Sequence, residues 1–196
     1  MKKQIKGLQY RLFIIVGICL LVIAGIALIT WQWSIHVSQQ KLDGYVQTIR
    51  QRIPESQNAV PEERRDNTMS VLSIDGTNFV GILEMPKYGS SVPVCGDWGR
   101  VSEYPSRLYG SVYDRTIQIG ATSQKGQYDF YREISVGDSV YFTDMEGNRF
   151  AYTVSDIRYE AHADQTTLKK ENADLVLFIQ NIFAFEYIIV YCNVQQ

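Results

Sequence analysis

Residues 137–154 read GDSVYFTDMEGNRFAYTV, and the fold turns on how this stretch is read. Ser139–Thr143 (SVYFT) and Arg149–Ile157 (RFAYTVSDI) are rich in β-branched and aromatic residues, and Phe150, Tyr152 and Val154 alternate with Ala151 and Thr153. A period of two puts one set of side chains on each face of a strand. Between the runs, Asp144–Asn148 (DMEGN) carries a glycine, which supplies the positive φ that a tight reversal needs. Two alternating runs around such a turn specify a β-hairpin.

Upstream of the hairpin, Asn78–Met85 (NFVGILEM) reads as a strand ended by Pro86, Val92–Cys95 as a short second strand and Arg115–Gly120 (RTIQIG) as a third. Downstream, Asp174–Ile179 (DLVLFI) and Glu186–Cys192 (EYIIVYC) are apolar runs separated by a short loop. Turns are expected over Asp129–Ile134 and Gln165–Glu171, and little else reads as helix. Many short strands at this spacing imply an all-β domain, a closed barrel or a sandwich, beginning near Leu72.

The N-terminus has a different character. Leu12–Trp31 (LFIIVGICLLVIAGIALITW) contains no charge. A helix of about 20 residues spans the roughly 30 Å hydrocarbon core of a bilayer. Trp31 and Trp33 stand at its far end, where amphipathic rings prefer the headgroup level. The run is longer than a signal-peptide core, and TWQWSIHV offers no small-x-small cleavage site. Lys2, Lys3, Lys6 and Arg11 precede it without an acid, which predicts a cytoplasmic N-terminus over residues 1–11, an anchor over 12–33 and an extracellular C-terminal domain. Residues 34–71 are polar and broken by Pro54 and Pro61, so they are expected to form a stalk, with Ile35, Leu42, Tyr45, Val46 and Ile49 permitting a short amphipathic helix before Pro54. The globular domain is expected over 72–196.

Charge and cysteine content exclude several functions. Net charge is −2, and the four N-terminal cations leave the remainder more acidic still, so nucleic acid is not expected as a partner. The only histidines are His36 and His162, and there is no CxxC, so no metal site and no cofactor are expected. Of the three cysteines, Cys19 lies in the apolar run, leaving Cys95 and Cys192 as packed thiols or, alternatively, as a disulfide.

Several segments together resemble the sortases, cysteine transpeptidases of Gram-positive bacterial surfaces. NFVGILEMPKYGSSVPV is similar to that family's opening strands, and YGSVYDRTIQIGA to the strand ending in its Gly-His. YDFYREISVGDSVYFTDMEGNRFAYTV resembles its "F-x-x-L…GD-x-V…G…Y-x-V" passage. DLVLFIQ falls where the family carries "T-L-x-T-C", and EYIIVYC falls on the last strand, which normally opens with arginine. The resemblance covers residues 78–194 in order and spacing, and it implies a sortase-like closed β-barrel with short helices, preceded by one transmembrane helix.

The same resemblance implies a cysteine nucleophile, a histidine acid/base and an arginine that steadies the oxyanion. On this sequence the three positions fall on Gln180, Ala121 and Tyr187 respectively. Sliding the register rescues nothing. No cysteine, serine or threonine lies between Asp174 and Cys192, and no histidine between Val37 and Ala161. Cys192 is expected at the opposite end of the sheet from Gln180, while His162 and His36 read as solvated residues. The expectation is a non-catalytic, membrane-anchored protein that binds a peptide, a cell-wall component or a cell-surface protein. The alternatives are a sortase-type transpeptidase or hydrolase with unfamiliar catalytic residues, and a structural partner of an active sortase. The loop Ile182-Phe183-Ala184-Phe185 is unusually apolar for a surface connection. It is expected either to form a binding loop or to plug the vacated space.

Overall fold

The computed structural model describes residues 2–59, 67–123, 127–128, 133–163, 168, 173–181 and 185–195, with the side chains of 2–12, 35 and 36 set aside. It separates into two compact units, Met1–Ser38 and Gln39–Gln196. Helix α1, Lys2–Arg52, contributes to both.

Within the first unit, the described side chains of residues 13–34 are almost all exposed, including Phe13, Leu21 and Trp33. This helix is long and apolar enough to cross a membrane.

The second unit is built on ten strands: β1 (Gln57–Ala59), β2 (Leu72–Ile74), β3 (Thr77–Met85), β4 (Ser90–Cys95), β5 (Ser106–Tyr109), β6 (Ile117–Thr122), β7 (Ser139–Asp144), β8 (Asn148–Glu160), β9 (Leu175–Asn181) and β10 (Glu186–Val194). Eight of them close a ring in the order β3-β4-β5-β6-β9-β10-β8-β7, with β7 returning to pair with β3. The β6–β9 pairing is parallel and joins two halves that are otherwise largely antiparallel. β1 and β2 add short extensions on β8 and β3. Closure leaves the long strands without a free edge. The fold is therefore an all-β, closed, eight-stranded barrel with one N-terminal apolar helix.

The alternation that identified the 137–154 hairpin is also what fills the barrel. Val140 and Phe142 of β7 and Phe150, Tyr152 and Val154 of β8 share one interior cluster with Leu175, Leu177 and Ile179 of β9 and Ile188, Val190 and Cys192 of β10. The intervening residues of β9 and β10 are apolar as well. Val176, Phe178, Ile189 and Tyr191 form a second cluster on the outer face, covered by Leu168. Burial on both faces explains why DLVLFI and EYIIVYC read as continuous apolar runs rather than alternating ones.

Three expectations are corrected. Residues 34–71 are not a free stalk from end to end, because the compact unit begins at Gln39. Nor is the helix there short. In α1, Leu42, Val46 and Ile49 lie on one face at i, i+4 and i+7 and bury against Ile74, Phe79, Ile82, Cys95 and Tyr104. Full burial of such side chains contributes about 1.5–3 kcal/mol each, and Arg50 adds an ion pair to Glu84 at 2.6 Å. The disulfide alternative also falls. Cys95 and Cys192 form no disulfide and are both buried, in separate core clusters. The turn expected over 129–134 lies mostly outside the described residues, and the one over 165–171 does so except for Leu168.

Candidate functional site on the outer face of the barrel

The positions singled out by sequence converge on the adjacent strands β6, β9 and β10. Gln180 stands beside Thr122 in the parallel β6–β9 register and opposite Tyr187 in the β9–β10 hairpin. The Ser123 amide donates to the Gln180 carbonyl at 2.9 Å, carrying the β6–β9 ladder past the strand end. Gln180 and Tyr187 belong to the alternating set that also holds Phe178 and Ile189, so both face outward. Gln180 is exposed and Tyr187 half-buried.

Ala121 does not join them. It aligns with Ile179, is 3% exposed and belongs to the barrel's interior cluster. The β6 residue presented beside Gln180 is Thr122, whose amide donates to the Gln127 side-chain oxygen at 3.2 Å. Strand parity could have found it: Gly120 and Thr122 share a face, and Ala121 lies on the other.

That face is floored by an aromatic pair that sequence reasoning missed. Trp98, in the short 3-10 turn Trp98–Arg100, packs against Phe178 with ring centroids 5.6 Å apart and planes inclined by 38°. Both rings lie directly on the backbone of Gly120. A Cβ there would meet Phe178 Cζ and Trp98 Cζ3 at 2.6 Å each, so the close approach requires glycine. Asp97 fixes the turn by accepting from the Gly99 amide at 2.9 Å. The only sequence signal was a tryptophan in a glycine-flanked loop, GDWGR.

Unspent polar groups lie at the same end of strands β6 and β9, Thr122 on the outer face and Asn181, by strand parity, on the other. Thr122 Oγ1, Gln127 Nε2 and Asn181 Oδ1 are buried without a hydrogen-bond partner among the described residues. A buried donor or acceptor left unpaired costs about 1–3 kcal/mol, and these atoms are closed off from the surface, so a ligand would reach them only if this end of the barrel opened. The groups near Gln180 are a carboxamide, a phenol and a hydroxyl, with exposed aromatic surface at Trp98. Such a set can hold an extended peptide through hydrogen bonds and stacking. It includes no thiol and no imidazole.

Neither Cys95 nor Cys192 presents a reactive thiol at this face. Cys192 pairs with Leu175, at the far end of β9 from Gln180, and burial pushes its thiol well up from the ordinary range. Cys95 is also buried, and desolvation raises its pKa despite a bond from the Asp97 amide and the nearby Arg100 charge. A reactive cysteine needs the opposite setting. His162 lies in an exposed segment after β8, and the His36 side chain lies outside the described residues. No group of three or more potential metal ligands occurs among the described residues.

Of the apolar loop, Ile182, Phe183 and Ala184 lie outside the described residues. Phe185 is 88% exposed and holds a positive φ of 54°, a conformation uncommon outside glycine. It therefore plugs no space in the barrel.

Comparison of the whole fold with solved structures places these observations. Sortase A from Corynebacterium diphtheriae superposes with a TM-score of 0.53 at 14% identity, covering 85% of this chain and 84% of that one. The fold is that of the sortases. Sortase C1 from Streptococcus agalactiae gives a TM-score of 0.52 at 16% identity, over 64% of this chain and 72% of its own. Clostridium perfringens sortase C, solved with the C-terminal cell wall sorting motif, gives 0.51 at 17% identity, over 60% and 71%. No family sequence model and no curated protein matches the chain. At these identities the likeness establishes the sortase-like barrel, and the chemistry has to be argued from the residues present.

Proposed function

We propose that this chain is a membrane-anchored, sortase-fold protein without transpeptidase chemistry. On this reading it binds an extracellular peptide of the sorting-motif type across the outer face of β6, β9 and β10. One observation carries the proposal: Gln180 and Tyr187, where the family resemblance puts thiol and guanidinium, meet on adjacent strands, and the β6 residue beside them is Thr122, while the imidazole position, Ala121, faces the barrel interior. A carboxamide nitrogen has its lone pair delocalised into the carbonyl and does not open a peptide bond. Without a positioned base, the Thr122 hydroxyl stays protonated and weakly nucleophilic. The Trp98–Phe178 platform and the adjacent Gln180 and Tyr187 side chains supply binding groups without catalytic ones. The apolar helix would serve as the anchor, and the four cations before it favour a barrel outside the cell.

The test uses the full chain in detergent micelles with a fluorogenic sorting-motif peptide. Binding without cleavage or transfer is expected, and Trp98→Ala should weaken binding by more than its shift in the barrel's unfolding transition accounts for. Turnover abolished by a thiol reagent would refute the non-catalytic reading. Loss of binding on Trp98→Ala with turnover absent would support it.

A further inference from the structure

On the opposite side of the ring from β9, a cavity of about 460 Å³ opens between the end of α1, the segment 53–58 and strands β3, β7 and β8. Its volume lies in the range of small-ligand sites, roughly 300–1,000 Å³. Both units of charge that line it on the strand side are held in place. Glu84 accepts an ion pair from Arg50 at 2.6 Å and one from Arg149 at 3.5 Å. The Arg149 guanidinium also lies over the Tyr141 ring, 3.8 Å from its centroid, which fixes the plane of the fork.

Arg149 is oriented but under-used. Its side chain is 30% exposed, and the long contact to Glu84 is its one ion pair among the described residues. A guanidinium offers five N–H donors, and one fixed by stacking loses little further freedom when it binds a carboxylate bidentately. The facing wall has the other sign. Glu55 lies three residues beyond the end of α1 at Arg52, is exposed, and forms no ion pair among the described residues. The C-terminal end of a helix also favours positive charge. Arg50, Arg149, Glu84 and Glu55 cancel, so a lone ion of either sign would unbalance the cavity, whereas a ligand carrying both signs preserves neutrality.

We infer that this cavity binds a small zwitterion of amino-acid or dipeptide size, its carboxylate on the Arg149 fork and its ammonium on Glu55. Ile53, Pro54 and Ile82 supply the apolar surface between the two charged ends. The bound ligand would brace the end of α1 against β3 and β8. This inference is independent of the peptide site on the other side of the barrel.

Calorimetric titration of the full chain in detergent micelles tests it, with the free amino acids and glycylglycine as probes. At least one zwitterion should bind at a single site tighter than about 1 mM. Blocking either charge, as in N-acetylglycylglycine or glycylglycinamide for the dipeptide, should weaken binding by about tenfold or more. Arg149→Ala and Glu55→Gln should each do the same. Glu55 is exposed and forms no ion pair among the described residues, so Glu55→Gln is expected to leave the fold intact even where Arg149→Ala disturbs it. Inorganic phosphate or an N-acetylated probe binding as tightly as the zwitterion would make this a plain anion site and overturn the inference. So would an absence of binding across the whole panel.

Discussion

Replacing Ile49 by alanine separates a docked helix from a passive spacer. Ile49 is fully buried, in a cluster with Leu42, Val46, Phe79, Ile82 and Tyr104. Truncating a buried isoleucine to alanine costs about 2–5 kcal/mol, from lost transfer free energy and the cavity left behind. Alanine is the better helix former, so none of that loss can be charged to helix propensity. For a unit in the 150–250 residue range, each kcal/mol moves Tm by about 2–4 °C, so a fall of roughly 4–20 °C is expected. Gln51→Ala, on the exposed side of the same turn, should be silent. The assay is thermal or denaturant unfolding of the full chain in micelles, followed by a near-ultraviolet signal from the barrel. If Ile49→Ala shifts the barrel's transition by no more than Gln51→Ala does, the final turns of α1 are not part of the domain and the correction to the stalk reading is wrong.

Gly120→Ala should destabilise the barrel by about 1–3 kcal/mol, because the new methyl forces Phe178 and Trp98 apart; unchanged unfolding and unchanged tryptophan emission would show that the rings do not rest on that backbone. Burial works to raise the Asp138 pKa, but bonds from Lys87, Tyr88 and the Ser135 amide outweigh it and hold the carboxyl below its ordinary 3.8. A depressed carboxylate contributes stability above its unfolded pKa and loses it as pH falls through the folded one. Asp138→Asn should therefore be less stable than the parent at neutral pH, with the gap closing below about pH 4; a gap independent of pH would refute this assignment. Thiol reagents applied to the folded protein should leave Cys95 and Cys192 unmodified until denaturant is added, and peptide mass mapping would reveal early labelling.

How much was legible in the sequence depended on element length and on how far apart the contacting residues lie. The β7–β8 hairpin, β3, β9 and β10 were readable because each carries enough residues to display a period or an unbroken apolar run. The missed strands β1, β2 and β5 have three, three and four residues, too few for a period to register. The amphipathic face of α1 was visible in Leu42, Val46 and Ile49. Its docking was not, since Phe79, Ile82, Cys95 and Tyr104 assemble the receiving surface from remote positions. In the candidate site, hairpin geometry put Gln180 opposite Tyr187 as the order of motifs implied. Ala121 was chosen by motif alignment alone, and strand alternation sends its side chain into the barrel, leaving Thr122 on the functional face.

This division between faces bears on how such a site could lose catalytic groups without losing the fold. The barrel's interior cluster draws on β3, β4 and β6 to β10, and neither Thr122, Gln180 nor Tyr187 belongs to it. Substitutions at those outward positions leave the interior packing in place, and at exposed Gln180 a surface change usually falls within about 0.5 kcal/mol. Ring closure acts in the same direction, because no strand edge depends on a ligand or partner for its hydrogen bonds. Gly120 is the exception on that face. The contact it permits joins Trp98 to Phe178, and Phe178 is itself buried in the outer cluster. The aromatic floor is thus tied to stability where exposed Gln180 beside it is not. Selection for folding alone would preserve the aromatic platform and let exposed residues beside it, such as Gln180, drift.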